Sequence, residues 1–326
     1  MKKINIEKRR LIFSDLFSKT VENDPLTFVD AGARGSLDEP WASINQKSLK
    51  VIGFEPDEKE CERLNSLSAN RHYFPVALWS KEGELDINIT QVPSCSSVYK
   101  PNFNLIKRYE KNNWEPRLIK NSVSFKSSTL DKILGGNNTY CDFLKIDTQG
   151  AEYEILKGAE NCLNDNIFAV LVETWTAEVY KGQHLTGEIL QLMSKNGFSL
   201  FDLNIAAAWQ RKTSDRIKHA GKRQIIGLDL LFLKTPPEES WFKNRTKLVK
   251  AVALSETYGF PDYALELIEK HQKSFGEYAE LFDKITNCII ANPHSSPKEG
   301  MYRRLKKKIN YLLGGSYKKD YPSLHY

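Results

Sequence analysis

The sequence predicts a doubly wound α/β sheet that closes with an antiparallel strand and continues into a helical C-terminal extension. Three features predict it. Runs of β-branched and aromatic residues alternate with helical segments from residue 26 to about residue 202, the order of strand–helix–strand crossovers. The run IFAVLVET is apolar on consecutive positions over residues 167–172, as in a strand buried on both faces. Residues 204–223, between the last two strand-like runs, carry no core-facing helical stripe, so those runs are expected to pair as a hairpin.

Taken in order, residues 5–19 set Ile12, Phe13, Leu16 and Phe17 at helical spacing and read as an amphipathic helix. LTFVDAGARGS is a strand that opens into a loop holding Gly32 and Gly35. Residues 40–46 are expected to be helical. KVIGFEPD is a second strand, closed by Pro56, and Asp57 is expected to cap a helix through Leu67 with Glu60 as its capping-box partner. HYFPVALW reads as one strand containing Ala77, followed by a turn at Gly83 and the alternating strand LDINIT. Residues 93–120 are polar, aromatic and irregular, long enough to suggest a lid or substrate loop. SVSFKS and STLDKILGG give a strand and a short helix ended by Gly135 and Gly136. YCDFLKID is the strongest strand, and AEYEILKGAE the helix after it. GEILQLMSKNG is a helix between the doubly buried strand and FSLFDL, and QIIGLDLLFLK is the last strand.

Pro236 and Pro237 mark a boundary, giving an N-terminal helix over 1–25, a ligand-binding domain over 26–235 and a helical extension over 236–326. In that extension Phe275, Tyr278, Leu281, Phe282, Ile285, Cys288 and Ile289 repeat at helical spacing, as do Tyr302, Leu305, Ile309 and Leu312.

With 40% hydrophobic and 27% charged residues among 326, the composition is that of a globular protein. The longest apolar run is far short of the ~18 residues of a membrane span. The basic N-terminus has its apolar stretch broken by charges, so no secretory signal is expected. Five scattered cysteines without a C-x-x-C pair, and six histidines without metal-binding spacing, argue against a disulfide framework or a local metal site. Reduced thiols and a cytoplasmic location are expected. The net charge of +6 is uneven: residues 1–10 carry +4 and residues 298–320 carry +6, leaving −4 for the body. A body of that sign does not track a nucleic-acid backbone. The basic ends read as solvated helix faces or, for the C-terminal tail, as a contact with an anionic membrane surface.

Chemistry concentrates in two constellations. In the first, Asp30-Ala31-Gly32-Ala33-Arg34-Gly35-Ser36 ends the first strand, and Glu55 ends the second, 23 positions after Gly32. Ligands of open α/β sheets bind beyond the carboxyl ends of the strands, and an acid ~20 residues past the first glycine accepts from a ribose diol. Each such charge-assisted hydrogen bond is worth roughly 1.5–3 kcal/mol. There is no G-x-G-x-x-G, and an acid precedes the first glycine; it would repel a pyrophosphate and attract an ammonium or sulfonium. The alternative makes Asp30 a helix cap and puts Glu55 in a solvated turn. In the second constellation, Asp142 to Glu152, strand alternation puts Lys145 and Asp147 on the face of Phe143, with Asp147 at the strand's carboxyl end. Lys145 there can be an ion-pair partner, and Glu152 a first-turn dipole partner.

Together FVDAGARGS, GFEPD and DFLKIDTQGAEYEILKGAE resemble the FkbM family of S-adenosylmethionine-dependent methyltransferases, and the resemblance continues through VLVETWTAEVYKGQ, NGFSLFDL and DLLFLK to about residue 234. Where the family commonly has D-x-G-A-N-x-G, Arg34 replaces the Asn and Ser36 the second Gly; where it usually has Glu, Gln149 stands. The resemblance implies a seven-stranded class I methyltransferase sheet, Rossmann-like and mostly parallel with an antiparallel last strand. It implies S-adenosylmethionine as cofactor and O-methylation of a sugar, glycan or glycolipid hydroxyl. It assigns the cofactor to Asp30, Gly32 and Glu55 with their neighbours Ala33, Arg34, Gly35, Pro56 and Asp57, and to Ala77. It turns Asp147 toward the transfer site with Glu173 beside it.

A hydroxyl acceptor must lose a proton. Asp147 is the first base expected, His184 the second and His219 the third. Tyr99, Asn102 and Trp114 are expected against a sugar ring. Two other readings are a nicotinamide-dependent oxidoreductase, opposed by the missing glycine motif, and a non-catalytic scaffold using the helical tail. No N-P-P-Y motif marks a nucleic-acid base as acceptor, no metal is expected, and the C-terminal helices offer a surface for a homo-oligomer.

Overall fold

The computed structural model describes residues 11, 14–68, 70–137, 139–213, 221–235, 237 and 241–291. The basic segments 1–10 and 298–320, His219, Pro236 and the repeat from Tyr302 to Leu312 lie outside them. Elements are numbered along the whole chain. Two units form: Pro25–Leu37 with Leu49–Pro237, and Met1–Asp24 with Asp38–Ser48 and Glu238–Tyr326.

The first unit is built on β1 (Leu26–Ala31), β2 (Leu49–Phe54), β3 (Arg71–Phe74), β7 (Phe143–Ile146), β8 (Ala169–Trp175), β9 (Phe198–Trp209) and β10 (Gln224–Lys234). They lie in the order β3-β2-β1-β7-β8-β10-β9. β1 pairs in parallel with β2 and β7, and β7 with β8. β10 runs antiparallel to both β8 and β9. This is the mostly parallel seven-stranded sheet with an antiparallel last strand that the sequence leads one to expect. Strand order reverses at β1, and the crevice beyond β1 and β7 is where such a sheet takes ligands. β1 is buried at every position, and Phe28 meets Phe143 across the β1–β7 pair at 5.9 Å. Residues 204–209 of the expected connection instead extend β9.

The helices follow their caps. Asp57 accepts from the Lys59 and Glu60 N–H groups at the start of α2 (Glu58–Asn65). Glu60 does not close a capping box: its carboxylate turns to Gly35 and Arg63, while the Asp57 N–H goes to Glu55. α3 (Phe103–Ile106) and α4 (Lys111–Trp114) are single turns, and Thr129 caps α5 (Leu130–Gly136). The helix expected over 151–160 is two, α6 (Glu152–Lys157) and α7 (Glu160–Asp165), parted at Gly158. α8 (Thr186–Lys195) buries Ile189, Leu192 and Met193 against the sheet core with Val170, Val172 and Leu230.

HYFPVALW is not one strand. Pro75 breaks it, leaving β3 in the large sheet and β4 (Ala77–Leu78) in a second sheet ordered β4-β6-β5, with β5 (Gly83–Thr90) antiparallel to β6 (Ile119–Ser128). Residues 91–118 join β5 to β6, and instead of an irregular lid they are a packed wall. Asn102 donates its N–H to Val179 and Glu110 its N–H to Gln210, while Ile106 and Tyr109 sit in a cluster with Trp175, Val179, Tyr180 and Trp209.

The second unit holds α1 (Ser14–Thr20), α9 (Arg245–Thr257), α10 (Pro261–His271) and α11 (Ala279–Ile290). The expected helix over 40–46 is replaced by two 3-10 turns, Trp41–Ser43 and Gln46–Ser48. α9 is buried from Leu248 to Thr257 on all faces, so Lys250 reaches Asp24 at 2.8 Å. Phe275 falls in a kinked turn before α11, outside the stripe expected to include it. Among the described residues no helix is long and apolar enough to cross a membrane.

Candidate functional site

The site begins where β1 ends. Gly32 turns at φ +87°, and a Cβ there would lie 2.2 Å from the Asp147 carbonyl oxygen. Only glycine lets the first loop lie against the end of β7. The Asp147 N–H donates to Ala31 at 3.1 Å, and the Gly32 and Ala33 N–H groups both donate to Phe54 at 3.1 Å. Three strand ends are therefore stitched together at their carboxyl edge.

Asp30 is buried within β1, and its Oδ1 lies 3.5 Å from Lys145 Nζ. Glu55, 6% exposed, donates its N–H to Phe74 and accepts from the Asp57 N–H at 3.0 Å through Oε1. Neither residue is a helix cap or a solvated turn. Burial raises the Glu55 carboxyl above its ordinary range, against the pull of the Asp57 N–H and Arg34. Arg34 pairs with Asp57 at 3.1 Å; Glu60 accepts from Gly35 and pairs with Arg63 at 2.7 Å, which holds Glu60 at about 2. Arg63 closes the lacing with a bond to the Gly35 carbonyl at 3.2 Å. Pro56 separates Glu55 from Asp57, and Ala77 opens β4 three residues after Phe74.

This half fits S-adenosylmethionine. Glu55 Oε2 has no hydrogen-bond partner among the described residues, so a buried carboxylate keeps an acceptor for a ribose diol. Gly35, at φ +98°, has no heavy atom within 4 Å of where its Cβ would stand. Lys145 balances Asp30, so Asp30 anchors the strand end and is a weaker cation trap than an isolated acid would be.

Across β7 the chemistry changes. Asp147 is exposed at the strand end. Gln149 takes φ +57°, a left-handed turn that costs a non-glycine residue roughly 1–2 kcal/mol. Its Nε2 donates to Glu173 Oε2 at 2.6 Å and to Asp147 Oδ1 at 3.3 Å. Its Oε1 accepts from Tyr180 at 3.0 Å, and its carbonyl accepts from the Ser97 hydroxyl at 2.7 Å. Burial, then the Asp147, Glu152 and Asp229 carboxylates, push Glu173 well above the carboxylate range. Glu173 faces Asp229 across the β8–β10 pair, and Asp229 faces Asn204 on β9, so Glu173, Asp229 and Asn204 form one polar row. Glu152 takes the Thr148 and Gly150 N–H groups and the Thr148 hydroxyl on Oε1; its burial outweighs those bonds and sets it at about 7.

The wall of residues 91–118 closes this half. Tyr99 packs over Gly150 and near Trp79, and burial pushes its phenol up to about 12. The buried Arg117 guanidinium lies 5.0 Å from the Trp209 ring, 5.5 Å from Trp175 and 5.7 Å from Tyr180. Asn102 is committed to Glu178, and Trp114 lies under Lys107.

His184 contacts neither Asp147 nor Glu173 among the described interactions. Its Nδ1 meets Glu188 at 2.6 Å, its Nε2 lies 3.8 Å from Glu154, and its ring stacks on Tyr153. The residues that sequence reasoning missed are Tyr180, Ser97 and the amide of Gln149, which reads in the sequence only as a lost carboxylate. The T-Q-G string after the strand is the one local signal for a tight turn there.

Residues 30–200 match the Methyltransferase FkbM domain. No curated protein matches the chain. Among solved structures, the chain is similar to methyltransferase FkbM from Methylobacillus flagellatus KT, at 14% identity and a TM-score of 0.33 over 64% of this chain and 44% of that one. It is also similar to magnesium protoporphyrin IX methyltransferase from Synechocystis PCC 6803, solved with bound S-adenosylmethionine, at 12% identity and TM-score 0.34 over 72% and 86%. A TehB-like S-adenosylmethionine-dependent methyltransferase from Corynebacterium glutamicum ATCC 13032 Kitasato gives 10% identity and TM-score 0.30 over 68% and 88%. The chain thus spans less than half the length of the first of these structures. At such scores the three add no functional argument, and the assignment rests on the domain match.

Proposed function

Because the chain belongs to the FkbM family of S-adenosylmethionine-dependent methyltransferases, the domain match spanning just over half of it, we propose that it methylates a hydroxyl of a sugar, glycan or glycolipid. The observation that carries this reading is the close approach of Gly32 to the Asp147 carbonyl, where a Cβ would lie 2.2 Å from the oxygen. It sets the loop that would hold the methyl donor directly against the acid that would receive the acceptor's proton.

Bound there, S-adenosylmethionine supplies a methyl group activated by sulfonium. Glu55 would hold the ribose, and Gly32 to Gly35 would line the donor's path. The chain's remaining work is alignment, water exclusion and removal of one proton. Asp147 is the exposed acid at the strand end and is suited to take the hydroxyl proton, whereas Glu173 is buried and raised above the carboxylate range. Tyr99 and the aromatic cluster around Arg117 would shield the acceptor side from water. His184, engaged by Glu188 and Tyr153, supports the helices around it.

Calorimetry with S-adenosylmethionine tests the donor half. A micromolar-range Kd is expected, weakened at least tenfold in Glu55→Ala by loss of roughly 1.5–3 kcal/mol of charge-assisted bonding. No heat from wild type would overturn the proposal. A screen of sugar and glycolipid acceptors for S-adenosylhomocysteine release then tests the acceptor class.

A further inference from the structure

We infer that Gln149 is a positioning residue that holds Asp147 and Glu173 together by supplying two N–H donors and no charge. Four contacts fix it: Tyr180 on Oε1, Glu173 and Asp147 on Nε2, and Ser97 on the carbonyl. In this orientation Nε2 donates to both carboxyls, and Oε1 lies 3.0 Å from the Tyr180 hydroxyl, which is also 2.9 Å from the Cys95 carbonyl.

The charges around the clip make neutrality matter. Asp147, Glu152 and Asp229 face Glu173, and Arg117, Cys95 and Glu173 face Tyr180. A glutamate at 149 would add a further acid within hydrogen-bond distance of a buried one, and two carboxylates so placed cannot both ionise. With glutamine, residue 149 adds no charge beside Glu173, which burial and the neighbouring carboxylates already push above the carboxylate range. The catalytic meaning of this rests on Asp147 acting as the base proposed above; the clip itself does not.

The test is a charge exchange read by thermal unfolding of the full chain at pH 5.5 and pH 8.5. Gln149→Glu is expected to stay within about 2 °C of wild type at pH 5.5, where residues 149 and 173 share a proton, and to fall by at least a further ~5 °C at pH 8.5. The double variant Gln149→Glu with Glu173→Gln restores one amide and one carboxylate, and should recover at least half of that fall. An equal deficit at both pH values, or no recovery, overturns the inference. Should Gln149→Glu not fold, the exchange alone decides: a folded double variant supports the clip, and an unfolded one overturns it. Calorimetry on the same wild-type sample separates the two ideas, because failure to bind S-adenosylmethionine sinks the methyl-transfer reading and leaves the exchange to judge this one.

Discussion

On the β1–β2 side of the site, Asp30, Asp57 and Glu60 each have a cation beside them, in Lys145, Arg34 and Arg63. On the β7–β8 side, Asp147, Glu152 and Glu173 are met among the described residues by the Gln149 amide, by backbone N–H groups and by one hydroxyl. Both sides are acid-rich, yet they serve different ends. Ion pairs fix charge and geometry, which suits a grip on a constant ligand. Burial raises Glu152 and Glu173 above the ordinary carboxylate range, and shifts of that kind suit a place where a proton must move.

The largest effect should come from the residue that joins the two sides. Gly32→Ala would drive a Cβ into the Asp147 carbonyl at a left-handed φ. Overpacking and backbone cost together amount to about 3 kcal/mol. The expected outcome is a Tm lowered by roughly 6–10 °C with S-adenosylmethionine binding lost. A variant with wild-type Tm and affinity would show that the halves are independent.

Next in size is the pH response of the proton-handling side. Glu152 titrates at about 7 in the fold, against an ordinary 4.5. The stability tied to its bound proton is therefore fully present below pH 4.5, is lost as pH rises toward 7 and changes little above it. The loss is on the order of 3 kcal/mol. Glu152→Gln keeps an oxygen for the Thr148 and Gly150 N–H groups, so its Tm relative to wild type should climb between pH 5 and pH 7.5. A constant difference would refute the assignment.

The smallest effect belongs to the laced side. The Arg34–Asp57 pair is about two-fifths exposed, so solvent screens it. Arg34→Ala should cost under about 1 kcal/mol, a Tm change within about 3 °C, although it should weaken S-adenosylmethionine binding by loosening the loop. A larger stability loss in 0.5 M salt than in low salt would contradict this screened-pair account.

The laced side was legible because its chemistry is local. Asp30, Gly32 and Glu55 follow from strand ends and one spacing, and Asp57 from a cap rule. The other side is assembled from Ser97, Asp147, Gln149, Glu173 and Tyr180, whose meeting depends on how residues 91–118 pack. A reading one segment at a time gives each a lone polar role. Gln149 shows the limit most clearly: its identity says only that a charge is missing, and its value lies in what it bridges. The failed 40–46 helix has a simpler cause, since Trp41 alone is apolar and buried in that first 3-10 turn and no stripe follows.

Thr90 and Ile119 stand opposite each other at the outer end of the β5–β6 ladder. The twenty-eight or so residues between them therefore leave and return at one point, and doubling such an excursion would cost only about 0.6 kcal/mol of closure entropy. An excursion that starts and ends at one point of the ladder can change in length without breaking the pairing of β5 with β6.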